Sequence, residues 1–273
     1  MSQRHSLLLR IAVVIFRCLN AIGFNAIRCC VGIRGLPAFV RDAWGFGQQP
    51  SAPGFQFGWG IPAPCLADRY LAGGTASGAY FHQDLWAARH IYRAAPRRHI
   101  DVGSRVDGFV AHVATFRSIE ILDIRPPSGF DPNISFRNID VMSKLAPDDH
   151  GCCDSLSCLH ALEHFGLGRY GDPVKADGFL DGWENLYNLL QPGGVLYFSV
   201  PIGPPRVEFN AHRVFSIEQI NQLIRNKYSV IESAYVDDSG AIHPIQSWQA
   251  VDVSRNFDCD FGCALLALRK HDG

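Results

Sequence analysis

The chain predicts an α/β protein: a doubly wound, mostly parallel seven-stranded sheet behind an N-terminal helical extension. Three observations predict it. In His99-Ile-Asp-Val-Gly103-Ser-Arg-Val-Asp-Gly108 an apolar lead-in ends on a carboxylate and turns through glycine into the apolar-periodic Phe109–Phe116. That strand–turn–helix order gathers backbone N–H groups and a helix N-terminus at one point. The next apolar run, Ile119-Glu-Ile-Leu-Asp123, ends on an acid about 20 residues after the first, the spacing of a ribose-binding carboxylate. From His99 onward, short apolar runs alternate with helix-length periodic ones, as βαβ units do.

Taken in order, residues 1–44 form an apolar and basic helical segment. No uncharged run in it approaches the ~18 residues a membrane span needs. Arg17 interrupts the apolar region and no small-x-small site follows, so a signal peptide does not fit. As one continuous helix the segment carries Arg10, Arg17 and Arg28 on nearly one face. Two readings stay open, a helix lying on a membrane surface or one packed on the core or on a partner. Residues 45–79 read as an irregular Gly/Pro-rich connector, ordered because Phe55, Phe57 and Trp59 call for burial.

Residues 80–273 form the α/β domain. A helix runs from Tyr80 to Tyr92, and Pro96 stops the chain before the first strand, His99–Val102. Further strands are expected at Ile119–Ile124, Ile134–Ile139 and Ser155–Leu159. A helix from Phe179 to Leu190 stops at Gln191-Pro-Gly-Gly194, where both glycines are expected at positive φ, and Val195–Val200 follows as a strand. Ser216 and Gln219 have capping-box spacing at the start of another helix. Val230–Val236 and Cys263–Leu268 suit an antiparallel pair at the sheet edge.

Hydrophobic residues make up 47% and charged ones 19% of 273 residues, a globular balance. Lys plus Arg (25) nearly cancel Asp plus Glu (26), which supplies no reason for a nucleic-acid partner. The nine cysteines include adjacent pairs but no C-x-x-C. No metal site is expected from them; they read as buried, reduced thiols of a cytoplasmic protein.

Together these residues resemble the class I S-adenosylmethionine-dependent methyltransferase superfamily over roughly Tyr80 to Lys270. The most recognisable piece is Leu190-Gln-Pro-Gly-Gly-Val-Leu-Tyr-Phe-Ser-Val-Pro201, and Ser155–His164, ending in Leu-Glu-His, is similar to the fourth-strand segment. The wording of Asp101–Phe109, Phe81–Trp86 and Phe165–Asp172 is similar to an uncharacterised methyltransferase-like family within it. The resemblance implies a Rossmann-like methyltransferase fold and S-adenosyl-L-methionine as cofactor. It places Asp101, Gly103, Ser104, Arg105 and Gly108 in the first cofactor-binding motif, Asp123 and Ile124 at the ribose, Asp140 and Val141 beside the adenine, and His160 after the fourth strand. Arg105 stands where the family has its second glycine, and Asp107 where it has its third. Either the Arg105 guanidinium pairs a cofactor carboxylate directly, or the site no longer binds the cofactor.

Methyl transfer is an in-line displacement that needs two reactants aligned and, for a hydroxyl acceptor, a proton removed. Two loops leave the carboxyl ends of the strands, Glu163–Asp172 and Ile202–Arg213, and are expected to form one acceptor pocket. His164 and His212 are the candidate bases, with Glu208 and Glu163 beside them, and Arg169, Arg206 and Arg213 either bind an anion or pair with neighbouring acids. His160-Ala-Leu-Glu-His164 also matches H-x-x-E-H, but that zinc chemistry needs a helix and this motif follows a strand. The expected activity is methylation of an oxygen on a small-molecule or glycan-like acceptor. A non-catalytic binding or assembly module and an NAD(P) oxidoreductase are the alternatives. The oligomeric state is left open.

Overall fold

The computed structural model describes residues 2–129 and 131–272; of residues 2–10 it describes the backbone alone, so the Arg10 side chain lies outside the described residues. Two compact units result, Met1–Thr75 and Ala76–Gly273.

In the first unit, α1 (Ser2–Ala21) and α2 (Ala26–Gly47) meet at a bend of 64°. Asn25 causes the break by accepting a hydrogen bond from the Arg28 backbone at 2.8 Å and capping α2. Arg17 and Arg28 therefore sit on different helices, and the single arginine face expected of one continuous helix does not form. Gly35 of α2 is packed so closely that a Cβ there would lie 2.0 Å from the Leu66 carbonyl oxygen. The connector's Phe55, Phe57 and Trp59 are exposed, contrary to the expected burial. Phe46 and Trp59 meet edge to face at 5.8 Å.

The second unit opens with α3 (Ala79–Ala94), ended by Ala95 in the left-handed region, and β1 (His99–Val102). The helix expected over Phe109–Phe116 is broken: a π turn at Val106–Val110, kinked at Gly108, precedes only one turn of α-helix, α4 (Ala111–Ala114). Then come β2 (Ile119–Asp123), β3 (Ile134–Asn138), β4 (Cys153–Leu159), α5 (Gly178–Leu189) and β5 (Leu190–Ile202). Only Gly193 of the glycine pair takes positive φ, 72°, and α5 passes straight into extended chain. The second expected loop contains a hairpin, β6 (Arg206–Glu208) and β7 (His212–Val214). The chain finishes with α6 (Ile217–Ile224), β8 (Tyr228–Val236), β9 (Ile242–Ile245) and β10 (Gly262–Lys270). Ser216 and Gln219 close a capping box at the start of α6.

The large sheet runs β3-β2-β1-β4-β5-β10-β8-β9, parallel from β3 to β5. Last in sequence, β10 inserts antiparallel between β5 and β8, so it is interior and not an edge strand. The strand β9 adds an eighth member to the seven expected. Helices cover both faces. Trp183, Leu186, Ile217 and Ile220 pack with Ile100, Leu156, Phe198 and Leu266 on one side. Ala87, Ile91, Phe109 and Val113 pack with Ile119, Ile121 and Tyr197 on the other. Each large side chain so buried is worth roughly 1.5–3 kcal/mol relative to exposure.

Of the nine cysteines, four are buried, Cys152 is partly exposed, and Cys18, Cys29, Cys30 and Cys65 are exposed. The expectation of nine core thiols fails for the N-terminal unit.

Candidate active site

A partly open cleft lies at the carboxyl ends of β1, β2 and β4. Val102, Leu122, Ile139, Val141 and Phe165 supply apolar walls, and Asp123, Asp140 and Asp172 bring carboxylates to it. The strand ends place these residues because the sheet reverses its winding between β1 and β4, where chain exits diverge and leave a crevice.

Gly103 makes the turn out of β1 at φ 70°, and its amide donates to the Leu122 carbonyl at 3.1 Å. A Cβ there would meet the Ala161 methyl at 3.1 Å, so glycine keeps both the turn and the opening. Asp101 lies beneath, fully buried. Its carboxylate accepts from the Ser104 amide (3.0 Å), the Ser104 hydroxyl (2.7 Å) and the Ser157 hydroxyl (2.5 Å). Burial pushes its pKa up to about 6 against these bonds. Asp101 and Ser104 thus brace the turn and do not line the cleft.

At the end of β2, Asp123 accepts from the Arg125 amide at 2.8 Å and more loosely from the guanidinium at 3.4 Å. The Arg125 guanidinium in turn sits 3.8 Å from the centre of the Tyr170 ring. Asp140 accepts from the Met142 amide (2.8 Å) and the Ser143 hydroxyl (3.0 Å), which turns the chain after β3 and keeps Val141 on the wall. Asp172 gathers the amides of Gly166, Gly168 and Tyr170 at 3.0–3.1 Å and folds the glycine-rich loop over the cleft.

His164 lines the cleft. Its Nδ1 is 2.6 Å from the Ala211 carbonyl oxygen, so this nitrogen carries the hydrogen and donates. The Arg169 guanidinium donates to the same oxygen at 3.1 Å. Nε2 is left as the acceptor, 3.8 Å from Glu163. Burial holds the His164 pKa below its ordinary value, which keeps the ring neutral near pH 7. Glu163 is fully buried. Its carboxyl, which burial pushes up, is brought below its usual value by His160, whose Nδ1 donates to it at 2.7 Å.

Of the residues expected at the site, Gly103, Asp123, Ile124, Asp140, Val141 and His164 converge on the cleft. Others do not. Arg105 pairs with Asp107 at 3.0 Å and lies over Tyr80, 5.7 Å from its ring centre. Gly108 packs against Asp84, whose carboxylate oxygen would lie 2.8 Å from a Cβ there. The His160 ring lies 5.0 Å from that of Tyr80, tilted by 35°. His212 sits on β7 against Phe261 at 4.9 Å, with Glu208 3.8 Å from its Nε2. The two loops do touch, through the Ala211 carbonyl, but they bring only one imidazole to the cleft lining. Arg213 is buried and donates to the carbonyls of Glu163, Phe165 and Ala176, and Arg206 pairs with Glu208 and two carbonyls. Arg206 thus pairs with a neighbouring acid, and Arg213 is engaged by carbonyls. The H-x-x-E-H residues occupy a strand end and a 3₁₀ turn, not a helix.

Sequence reasoning missed Arg125, Ala161, Met142 and the buried His99–Ser157–Asp101 chain. Arg125 had a signal, standing two residues after the ribose-type acid. The others depend on strand register.

The strand order and this cleft define a Rossmann-like fold of the class I methyltransferase type. A family model described as Caenorhabditis protein of unknown function, DUF268, matches residues 131–258. No curated protein matches the chain. Among solved structures it is similar to the 1,6-didemethyltoxoflavin-N1-methyltransferase of Burkholderia thailandensis, with bound 1,6-didemethyltoxoflavin and S-adenosylhomocysteine (15% identity over 70% of this chain and 79% of that one, TM-score 0.49). It is also similar to the N-methyltransferase NodS of Bradyrhizobium japonicum WM9 in complex with S-adenosylhomocysteine (12% identity over 71% and 88%, TM-score 0.45). A third is the YcgJ protein of Bacillus subtilis (13% identity over 70% and 99%, TM-score 0.46).

Proposed function

We propose that the chain is an S-adenosylmethionine-dependent methyltransferase acting on an oxygen of a small-molecule or glycan-like acceptor. The observation that carries this is the cleft itself. Asp123 ends the second strand at its lip, Asp140 follows the third, and the Gly103 turn lines it beside Ala161. The residues fit the cofactor: apolar walls suit a flat ring, and a carboxylate at the end of β2 suits a ribose diol. When bound, S-adenosylmethionine supplies the activated methyl group.

The chain's own part is to position and to move one proton. Asp123 binds the diol, exchanging its loose bonds to the Arg125 guanidinium for closer ones. The loop folded by Asp172, with Tyr170 and Arg125 meeting across it, excludes water. Nε2 of His164, its partner nitrogen held by the Ala211 carbonyl, accepts the acceptor hydroxyl's proton, and this unprotonated nitrogen favours an oxygen acceptor. Arg105 at the second-glycine place is the observation that favours the non-catalytic reading. Its pairing with Asp107, away from the cleft lining, weakens that reading. Calorimetry with S-adenosylmethionine, S-adenosylhomocysteine and NAD decides: binding of the first two and not the third is expected, and heat from NAD alone or from none rejects the assignment.

The N-terminal unit we read as a cytoplasmic-side attachment to an anionic membrane surface. Its support is the exposed apolar side chains of α1 and α2, with six arginines and no acid before Asp42. The full chain is expected to float with phosphatidylserine-containing vesicles and to be released by high salt; a chain that stays unbound under both conditions rejects this attachment.

A further inference from the structure

Cysteine is segregated along this chain. Cys153, Cys158, Cys259 and Cys263 of the α/β unit are buried, whereas Cys18, Cys29, Cys30 and Cys65 of the N-terminal unit are exposed. Free cysteine ranks among the most buried residue types, so four exposed thiols in one unit call for a physical reason.

The geometry of α2 offers one. Cys29, Ile33, Leu36, Val40 and Trp44 follow one another at helical spacings of four, three, four and four residues and share one face. All five are exposed, Ile33 by 71% and Trp44 by 74%. On a helical projection Arg28 falls about 100° to one side of Cys29, and Arg34 and Arg41 fall about 120–140° to the other. Cys30 stands between the apolar row and the Arg34–Arg41 side. Arg41 pairs with Asp42 at 2.8 Å and Arg34 lies 4.6 Å over the Tyr70 ring, which leaves Arg28, among the described residues, as the flanking guanidinium with no acid beside it. An apolar row with arginines on both flanks suits a helix lying in an anionic bilayer surface, its row dipped to the acyl boundary. In that pose the Cys29 thiol lies where the acyl chains begin.

Resting on the membrane-surface reading above, we propose that Cys29 and its neighbour Cys30 are sites of thioester modification by a long-chain fatty acyl group, drawn from acyl-coenzyme A. The cysteine sulfur attacks the thioester carbonyl, the bond to coenzyme A breaks, and the coenzyme A thiolate leaves and takes up the proton the cysteine released. No oxidant or reductant is involved. A single interfacial helix binds reversibly, and an acyl chain set into the same row adds the second signal that lasting attachment requires.

The test incubates the full chain with palmitoyl-coenzyme A, with and without vesicles of phosphatidylcholine and phosphatidylserine. Peptide mass spectrometry then locates hydroxylamine-labile palmitoyl groups, and flotation measures binding. Acylation at Cys29 or Cys30 is expected to be roughly tenfold faster with vesicles, since the surface concentrates both reactants. It should exceed acylation of Cys65, which is exposed but lies outside the helices. The acylated chain should remain on vesicles through a salt wash, whereas Cys29→Ser/Cys30→Ser, which keeps the helix face, should wash off. Wild type that floats yet gains no palmitoyl group at these two positions, or gains as much at Cys65, overturns the acylation and leaves the surface reading intact. Wild type that never floats overturns both.

Discussion

The Arg125 guanidinium lies 3.8 Å from the centre of the Tyr170 ring, joining the loop after β2 to the glycine-rich loop after β4 across the mouth of the cleft. The same guanidinium reaches Asp123 only at 3.4 Å, so it divides between a close ring contact and a loose ion pair. Cation–π contacts of this kind contribute about 0.5–2 kcal/mol. Arg125→Ala should therefore speed both entry and release of S-adenosylhomocysteine by several fold, with a smaller change in Kd, in stopped-flow measurements. Unchanged rates would mean the contact does not gate the cleft.

Asp123→Ala should weaken S-adenosylhomocysteine binding by calorimetry. Each lost charge-assisted hydrogen bond costs on the order of 1.5–3 kcal/mol, or about ten- to a hundredfold. Wild-type affinity in this variant would refute the ribose assignment.

His164→Gln should lower turnover on the order of a hundredfold while leaving S-adenosylhomocysteine affinity within a few fold, because the proposed mechanism gives this cleft-lining imidazole the proton. His212→Gln should have the smaller effect, since His212 does not line the cleft. In the wild type the rate should rise with pH as Nε2 loses its proton and level off above. Burial lowers this pKa, so the midpoint should fall below 6.5. A larger loss at His212 would move the base to the hairpin.

Gly103→Ala should destabilise the fold by about 1–3 kcal/mol, because a left-handed φ is costly for a side chain, and the added methyl would press on Ala161. Urea denaturation measures the first effect, and reduced cofactor affinity in the folded fraction reports the second.

Two buried groups in one hydrogen-bond chain should oppose each other in pH dependence. Burial lowers the His99 pKa from 6.5 to about 3 and raises that of Asp101 from 3.8 to about 6. Between about 3 and 6.5 the unfolded chain binds the His99 proton and the folded one does not, so this group's stability is complete above 6.5 and lost as pH falls. Between 3.8 and about 6 the folded chain instead keeps the Asp101 proton, so its contribution is complete below 3.8 and falls as pH rises through 6. The wild-type slopes should nearly cancel from pH 4 to 6, and His99→Gln should unmask a loss of about 3 kcal/mol with rising pH across that window. A variant whose stability is flat there would show that Asp101 is not held protonated.

The parallel strands, α3, α5 and the α6 capping box were legible from contiguous residues, because apolar period, a stop such as Pro96 and a Ser–Gln cap are local properties. The same is true of Gly103, Asp123 and Asp140, each a strand-end residue whose place follows once its strand is found. Where local reading failed, the reason is also physical. Phe109–Phe116 has helical periodicity, yet Gly108 packing on Asp84 interrupts it, and Asn25 capped a second helix inside what looked like one.

The sequence by itself determined an α/β chain with a nucleotide-type turn, a ribose-type acid and an apolar, arginine-bearing N-terminus. Only the tertiary structure decided that β10 lies inside the sheet, that Arg125 meets Tyr170, and that His164, held by the carbonyl of Ala211, is the histidine that lines the cleft while His212 is not. Those contacts join residues 45 and 47 positions apart. Their formation depends on strand register and the path of two loops, which no periodicity along the chain encodes.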